Sequence, residues 1–156
     1  MKKLSYIFCL ALIFAGFMFS AWNNAHAQTG KQKAGVTYDA NITRVIDGDT
    51  VAFEAAWLPD PLKKELSIRV FGVDTPEKGH RAQCPKEDVM GQKATEFTKK
   101  AVTSAKKRQV VLMDWDKYGG RVLGDVILDG KSLRQALIVN GLAREYYGEA
   151  KTSWCN

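Results

Sequence analysis

Three stretches of the sequence gather carboxylates and guanidiniums at turns. Asp47-Gly48-Asp49-Thr50 sets two acids around a glycine between two β-rich runs. Arg69 stands inside an apolar run that ends in Asp74-Thr75-Pro76-Glu77. Asp116-Lys117-Tyr118-Gly119-Gly120-Arg121 is a basic and aromatic turn ahead of another apolar run. An arginine among Ile68, Val70, Phe71 and Val73 is costly unless it meets an anion or a carboxylate. Strand alternation predicts that Arg69 shares a face with Phe71 and Val73. Hard divalent cations prefer carboxylate and carbonyl oxygens, which Asp49, Asp74 and Glu77 could supply from neighbouring loops. Arg69 and Arg121 could grip a phosphate bidentately. Phosphodiester hydrolysis uses this combination: charge builds on the phosphoryl oxygens, and a carboxylate takes a proton from water. His80 falls in a polar loop and reads as solvated. Zinc-type Cys/His spacing and the EF-hand offsets are both absent from the sequence. Asp47 and Thr50 read as turn residues, and Lys99-Lys100 and Lys106-Lys107 as solvated lysines of a helix face.

These groups must be carried by short strands and two helices. Ile42 to Ile46 and Thr50 to Phe53 are β-rich, with the Asp47-Gly48-Asp49 turn between them. Ala55 to Lys64, with Trp57, Pro59 and Pro61, suits a long hairpin loop. Leu66 to Val73 resumes as a strand, and Lys78 to Met90 reads as a polar loop. Ala94, Phe97, Ala101 and Ala105 recur at helical spacing, which predicts a helix from Gln92 to about Lys107. Gln109 to Met113 and Arg121 to Leu128 are further strands, the second closed by Asp129-Gly130. Ser132 and Gln135 form a capping box for a helix over 132–140, which Gly141 stops. Five short strands with one helix after the third suggest a small closed barrel plus helices.

The chain has 156 residues, of which 46% are hydrophobic and 26% charged, with a net charge of +6. This fits one globular domain, excludes a collagen-like or low-complexity polymer, and suits a polyanionic partner. Met1-Lys2-Lys3 precedes an apolar run from Leu4 to Trp22, and Ala25-His26-Ala27 offers a small-residue cleavage site. A signal peptide cut after Ala27 is expected, with an uncleaved membrane anchor as the alternative. After cleavage Cys84 and Cys155 remain. In an oxidising compartment a bridge between them and two free thiols are both open.

Taken in order, the motifs resemble the staphylococcal nuclease, or thermonuclease, family. The resemblance runs from about Ile42 to Tyr147. It rests on Val45-Ile46-Asp47-Gly48-Asp49-Thr50-Val51 and on Ile68-Arg69-Val70-Phe71-Gly72-Val73-Asp74-Thr75-Pro76-Glu77. It continues through Gly91, Ala94 and Phe97-Thr98-Lys99-Lys100, then Asp116-Lys117-Tyr118-Gly119 leading to Arg121. Ala136-Leu137 and Gly141-Leu142-Ala143 complete it. The resemblance implies a β-barrel with helices (α+β), a five-stranded OB-fold with two to three helices. It implies an exported, calcium-dependent endonuclease that cuts DNA and RNA, leaves 3′-phosphates and works as a monomer without a stable protein partner. Asp49, Asp74 and the backbone carbonyl of Thr75 would hold the calcium, and Glu77 would act as general base. Arg69 and Arg121 would stabilise the transition state. Lys117 and Tyr118 would line a nucleotide pocket, with Tyr147 or Tyr146 stacking from the far side. The expected organisation is a signal peptide over 1–27, a flexible lead-in over 28–40 and the nuclease domain over 41–156. The alternative is a catalytically inactive OB-fold module that binds nucleic acid or protein. Three departures are visible: Gly119-Gly120-Arg121 has one more glycine than the best-known member's turn, the loop from Ala55 to Lys64 is longer, and that member's long final helix has no counterpart after Tyr147.

Overall fold

A computed structural model describes residues 34–62, 64–117 and 119–156. The expected signal segment, the first part of the expected lead-in and Tyr118 lie outside the described residues. In chain order the elements are β1 (Val36–Asp39), β2 (Ile42–Asp47), β3 (Thr50–Glu54), β4 (Glu65–Val70) and β5 (Val73–Asp74). Then come α1 (Pro85–Ser104), β6 (Arg108–Trp115), β7 (Arg121–Leu128), β8 (Lys131–Ser132), α2 (Leu133–Val139) and β9 (Arg144–Glu145). A single 3-10 turn at Gly79–Arg81 precedes α1.

The main sheet runs β1-β6-β7-β4-β3-β2, with β8 attached to β7, while β5 and β9 form a separate pair. Among the described residues β4 and β7 run parallel and the other strand pairs are antiparallel. This is the α+β, OB-like arrangement that the sequence suggests, with two corrections. The expected five-stranded closed barrel is a longer mixed sheet. Its end strands β1 and β2 are joined through Ala40 and Asn41 rather than by a hydrogen-bonded ladder. The expected lead-in also contains a strand, because β1 takes the open edge of β6 in register from Val36↔Leu112 to Asp39↔Gln109.

Apolar alternation explains the core. Val51, Phe53, Ile68, Val70, Val110 and Val126 are fully buried from β3, β4, β6 and β7, and Leu133 and Leu137 close over them from α2. Each such side chain contributes roughly 1.5–3 kcal/mol. The fourth strand stops earlier than its apolar run. Gly72 adopts φ 79°, which turns the chain and separates β4 from β5. Arg69 therefore shares its face with Ser67, not with Phe71 and Val73. Lys78 to Met90 is not a continuous loop, since α1 begins at Pro85. Proline at the first helical position and a Cys84 Sγ that accepts from the Glu87 N–H provide the start. The helix ends at Ser104, short of the expected Lys107, because Ala105 is already extended. Its buried face is Gly91, Ala94, Thr95, Thr98 and Val102, so threonines take positions that the alanine pattern alone does not reveal.

The Ser132 side of the expected capping box is present at the second helix. Ser132 Oγ accepts from the Gln135 N–H at 3.1 Å. Gly141 at φ 67° ends the helix, with the Leu142 N–H reaching the Leu137 carbonyl at 2.9 Å. Among the described residues no helix is long and apolar enough to cross a membrane.

Candidate active site

Strand pairing brings the three sequence clusters to one end of the sheet. Thr50 pairs with Arg69 across β3 and β4, and the Val70 N–H donates to the Asp49 carbonyl at 2.8 Å. The Asp49 turn is thereby pinned to the end of β4. Behind the turn, Thr98 of α1 donates its hydroxyl to the Gly48 carbonyl at 2.7 Å. A side chain on Gly48 would meet the Ala94 Cβ at 2.8 Å. The same helix supports the next loop. At Gly91 a Cβ would lie 2.3 Å from the Glu77 carbonyl oxygen, so only glycine allows this approach. Buried Glu87 accepts N–H bonds from Glu77 at 3.3 Å and Gln83 at 2.7 Å.

Inside this frame Arg69 bridges two buried carboxylates. Its Nη1 lies 3.0 Å from Asp49 Oδ1, and its Nη2 lies 3.7 Å from Asp74 Oδ1. Thr50 donates its hydroxyl to Asp49 Oδ1 at 2.9 Å, and the Thr75 N–H reaches Asp49 Oδ2 at 3.4 Å. Thr75 therefore meets Asp49 through its amide. Glu77 sits at the rim, 35% exposed, with Oε2 3.2 Å from Arg81 Nε. Arg81 also reaches Asp47 Oδ2 at 3.3 Å. Lys151, from the C-terminal segment, places Nζ 2.6 Å from Asp74 Oδ1 and 4.0 Å from Glu77 Oε1. The Trp154 indole N–H donates to Asp74 Oδ2 at 3.2 Å. Exposed His80 lines a cleft of about 470 Å³ beside Arg81, together with Lys78, Gly79, Asp88 and Gln92.

The electrostatics follow from burial. Desolvation pushes the Asp49 carboxyl up to about 6; Arg69 opposes that rise and the Asp47 charge adds to it. Burial alone would lower the Arg69 pKa, but the surrounding Asp49, Asp47, Asp74 and Glu77 outweigh it and hold the guanidinium above its ordinary value. Partial burial likewise depresses Lys151, and its bond to Asp74 more than offsets that.

Arg121 stands apart from this core. It pairs with Ser67 in the parallel β4–β7 ladder, where Arg69 pairs with Leu123. Both arginines thus lie on one sheet face, with Cα atoms roughly 8 Å apart from strand spacing and rise. Arg121 binds the Asp116 carboxylate within its own hairpin. Lys117 is exposed at the tip of that turn. Tyr147 lies against Phe71, with ring centroids 5.8 Å apart, and its hydroxyl accepts from Arg134 at 2.6 Å. Tyr146 instead faces the acidic cluster through Lys151, whose Nζ is 5.7 Å from its ring centroid.

The structure thus unites Asp49, Thr50, Arg69, Asp74 and Thr75, with Glu77 at their edge. Arg81, Glu87, Lys151 and Trp154 are participants that local sequence reasoning misses, since each reaches the site from a distant element. Gly91 stands among the family-like motifs, and the structure gives its physical reason.

Hard-cation chemistry fits part of this set. Asp49 and Asp74 present buried carboxylate oxygens side by side, and Asp47 Oδ1 is buried without a hydrogen-bond partner. Among the described residues no group of three or more His, Cys, Asp or Glu is clustered as a preformed metal cage. A bound ion would rest on these two carboxylates and complete its shell with carbonyl, water or substrate oxygens.

Cys84 and Cys155 form a disulfide with Cα atoms 6.0 Å apart, which settles the two readings of the thiols in favour of the bridge. Comparison with known proteins agrees with the geometry. A family model described as staphylococcal nuclease homologue matches residues 67–154. The thermonuclease of Staphylococcus hyicus is 33% identical over 129 residues, covering 82% of this chain and 65% of that protein. Endonuclease YncB of Bacillus subtilis is 32% identical over 138 residues, covering 80% of this chain and 59% of its own length. Endonuclease YhcR of the same organism is 33% identical over 119 residues, covering 70% of this chain and 9% of that protein. The chain thus spans less than two thirds of the length of each of these relatives. On the matched span and the identity, the chain belongs to the staphylococcal nuclease family.

Proposed function

We propose that the protein is an exported, calcium-dependent endonuclease that hydrolyses phosphodiester bonds of DNA and RNA and leaves 3′-phosphates. The observation that carries this reading is the convergence of Asp49, Arg69 and Asp74 in one cluster with Glu77 half-buried at its rim. A purely binding module has no need of buried acids bridged by a guanidinium. The nuclease names of the relatives support the same class of reaction.

In the proposed reaction Glu77 takes a proton from water. The water oxygen bonds to phosphorus as the bond to the 5′ oxygen breaks, and the proton taken by Glu77 passes through solvent to the leaving 5′ alkoxide, which restores the carboxylate. The guanidiniums of Arg69 and Arg121 donate to the phosphoryl oxygens, where charge develops. Calcium held by Asp49 and Asp74 supplies further positive charge beside those oxygens when bound. The Thr75 carbonyl is the third proposed ligand. Lys117, Tyr118 and Tyr147 are the proposed nucleotide contacts, and Lys117 is well placed for phosphate at the hairpin tip. Export is supported by the apolar run before Ala27 and by the disulfide, which persists in oxidising compartments.

Purified protein incubated with single-stranded DNA should degrade it with calcium and stop on chelation. Intact DNA at every calcium level favours the binding-module alternative. Glu77→Gln should lower turnover by about 10²- to 10⁴-fold while nucleotide binding survives. Unchanged turnover removes Glu77 from the mechanism.

A further inference from the structure

The C-terminal segment is built into the acidic cluster. Several contacts anchor it, and the covalent one is the disulfide. Cys155 is bonded to Cys84, the residue that caps α1. Lys86 reaches the Asn156 carbonyl. Arg144, paired with Asp74 across β5 and β9, donates to the Thr152 and Ser153 carbonyls at 3.2 and 3.0 Å. The Arg144 guanidinium also stacks 3.8 Å from the ring centroid of buried Trp154. So held, the segment delivers two groups to one carboxylate. The Trp154 indole N–H takes Asp74 Oδ2, and the Lys151 ammonium takes Asp74 Oδ1. The two differ in kind. Trp154 is buried and fixed, whereas the Lys151 side chain is 46% exposed and can swing into solvent.

We propose that Lys151 is a tethered competitor for the cation position: its ammonium occupies the Asp74 oxygen that a divalent ion must take, and the Cys84–Cys155 bridge keeps it there. The proposal rests on the reading of Asp74 as a cation ligand. An ammonium carries one charge and no open coordination position, so it satisfies the acid without serving phosphate chemistry. Tethering raises its local concentration far above that of a free amine. The apparent cation affinity is then the intrinsic affinity multiplied by the fraction of molecules in which Lys151 has released Asp74. Opening the bridge loosens the tether, which links cation occupancy to the redox state around the protein.

The competition has a sign that a merely structural contact lacks. Calorimetric titration with calcium chloride, without nucleic acid, reads it directly. Lys151→Met should tighten calcium binding by about tenfold. Lys93→Met, which removes the same charge from the exposed face of α1, should leave affinity unchanged. The paired change Cys84→Ser with Cys155→Ser should also tighten binding, and adding Lys151→Met to it should give no more than Lys151→Met alone. Reduction of the unaltered protein with dithiothreitol offers the same comparison without substitution. Equal or weaker binding in Lys151→Met overturns the proposal, as does an equal gain in Lys93→Met. Weaker binding on loss of the bridge overturns the role of the disulfide. If neither the unaltered protein nor Lys151→Met binds calcium, the proposal falls together with the metal reading; equal measurable affinities sink the competition alone.

Discussion

Arg69 and Arg121 lie on one face of the β4–β7 ladder, and each is paired with a carboxylate, yet the two are held in opposite ways. Arg69 reaches Asp49 and Asp74, acids that arrive from the β2–β3 turn and from β5. Its partners are fixed by strand pairing, by α1 and by the tail. Arg121 binds Asp116, from the other side of its own hairpin. That hairpin passes through Gly119 and Gly120, both at φ 64° and both exposed. Two successive glycines put this turn in a backbone region that other residues avoid. One guanidinium is therefore part of the fold, and the other is a reach from it. A phosphodiester lodged between them would meet one rigid wall and one adjustable one.

The largest expected effect tests the rigid wall. Arg69→Ala removes the guanidinium from two buried carboxylates, which leaves uncompensated charge in a dry setting and should cost about 3–5 kcal/mol of stability. Turnover should be lost as well. Combining it with Asp49→Asn should restore part of the stability, because the orphaned charge is then gone. Urea unfolding of the single and double variants measures both. A midpoint for Arg69→Ala within error of the unaltered protein would mean that Arg69 is not a structural counter-ion.

Arg121→Ala should divide the two properties. Asp116 is itself buried, but it sits at the base of a hairpin whose Gly119–Gly120 tip is exposed, and it can turn toward water there. The stability loss should therefore be clearly smaller than that of Arg69→Ala. Turnover should fall by about 10²- to 10³-fold if Arg121 stabilises developing charge. Thermal unfolding and initial rates on single-stranded DNA check the split. A stability loss equal to that of Arg69→Ala would erase the contrast between the two walls.

The same contrast explains what the sequence revealed. Strands β2, β3, β6 and β7 were legible because their apolar runs are bounded by turn residues at Asp47-Gly48-Asp49 and Asp129-Gly130. Arg69, Asp49 and Asp74 were legible because buried charge in an apolar run demands partners. Strand β1 was not, since all four of its residues are exposed and no alternation marks them. The first two turns of α1 were hidden because Val89 is its exposed apolar residue there and its cap is a cysteine sulfur. Arg81, Lys151 and Trp154 carry no local signal. Their roles arise only when α1, β9 and the disulfide bring distant segments together. The adjacent tyrosines were visible as a pair but not their division: Tyr147 packs against Phe71 and Arg134, while Tyr146 lies beside Lys151.

The smallest effect sets the exposed limit of the comparison. Asp129, at φ 49° in the turn after β7, accepts from the Lys106 N–H and from the Lys107 N–H at 2.8 Å. It has backbone donors in place of a guanidinium and water in place of burial. Those N–H bonds, Lys107 first and then Lys106, hold its pKa below the ordinary aspartate value. A carboxyl with a depressed folded-state pKa contributes stability above its unfolded-state pKa, about 3.9. The contribution disappears as pH falls through the lower folded-state value. Asn tolerates the left-handed conformation and keeps a carbonyl acceptor, so Asp129→Asn removes the charge with little backbone strain. The variant should be slightly less stable at pH 7, and its urea midpoint should converge on that of the unaltered protein below about pH 4. A gap that stays constant across this range would assign the stabilisation to hydrogen-bond geometry alone. Convergence would show that an exposed turn draws on charge only modestly, where the Arg69 cluster depends on it for folding.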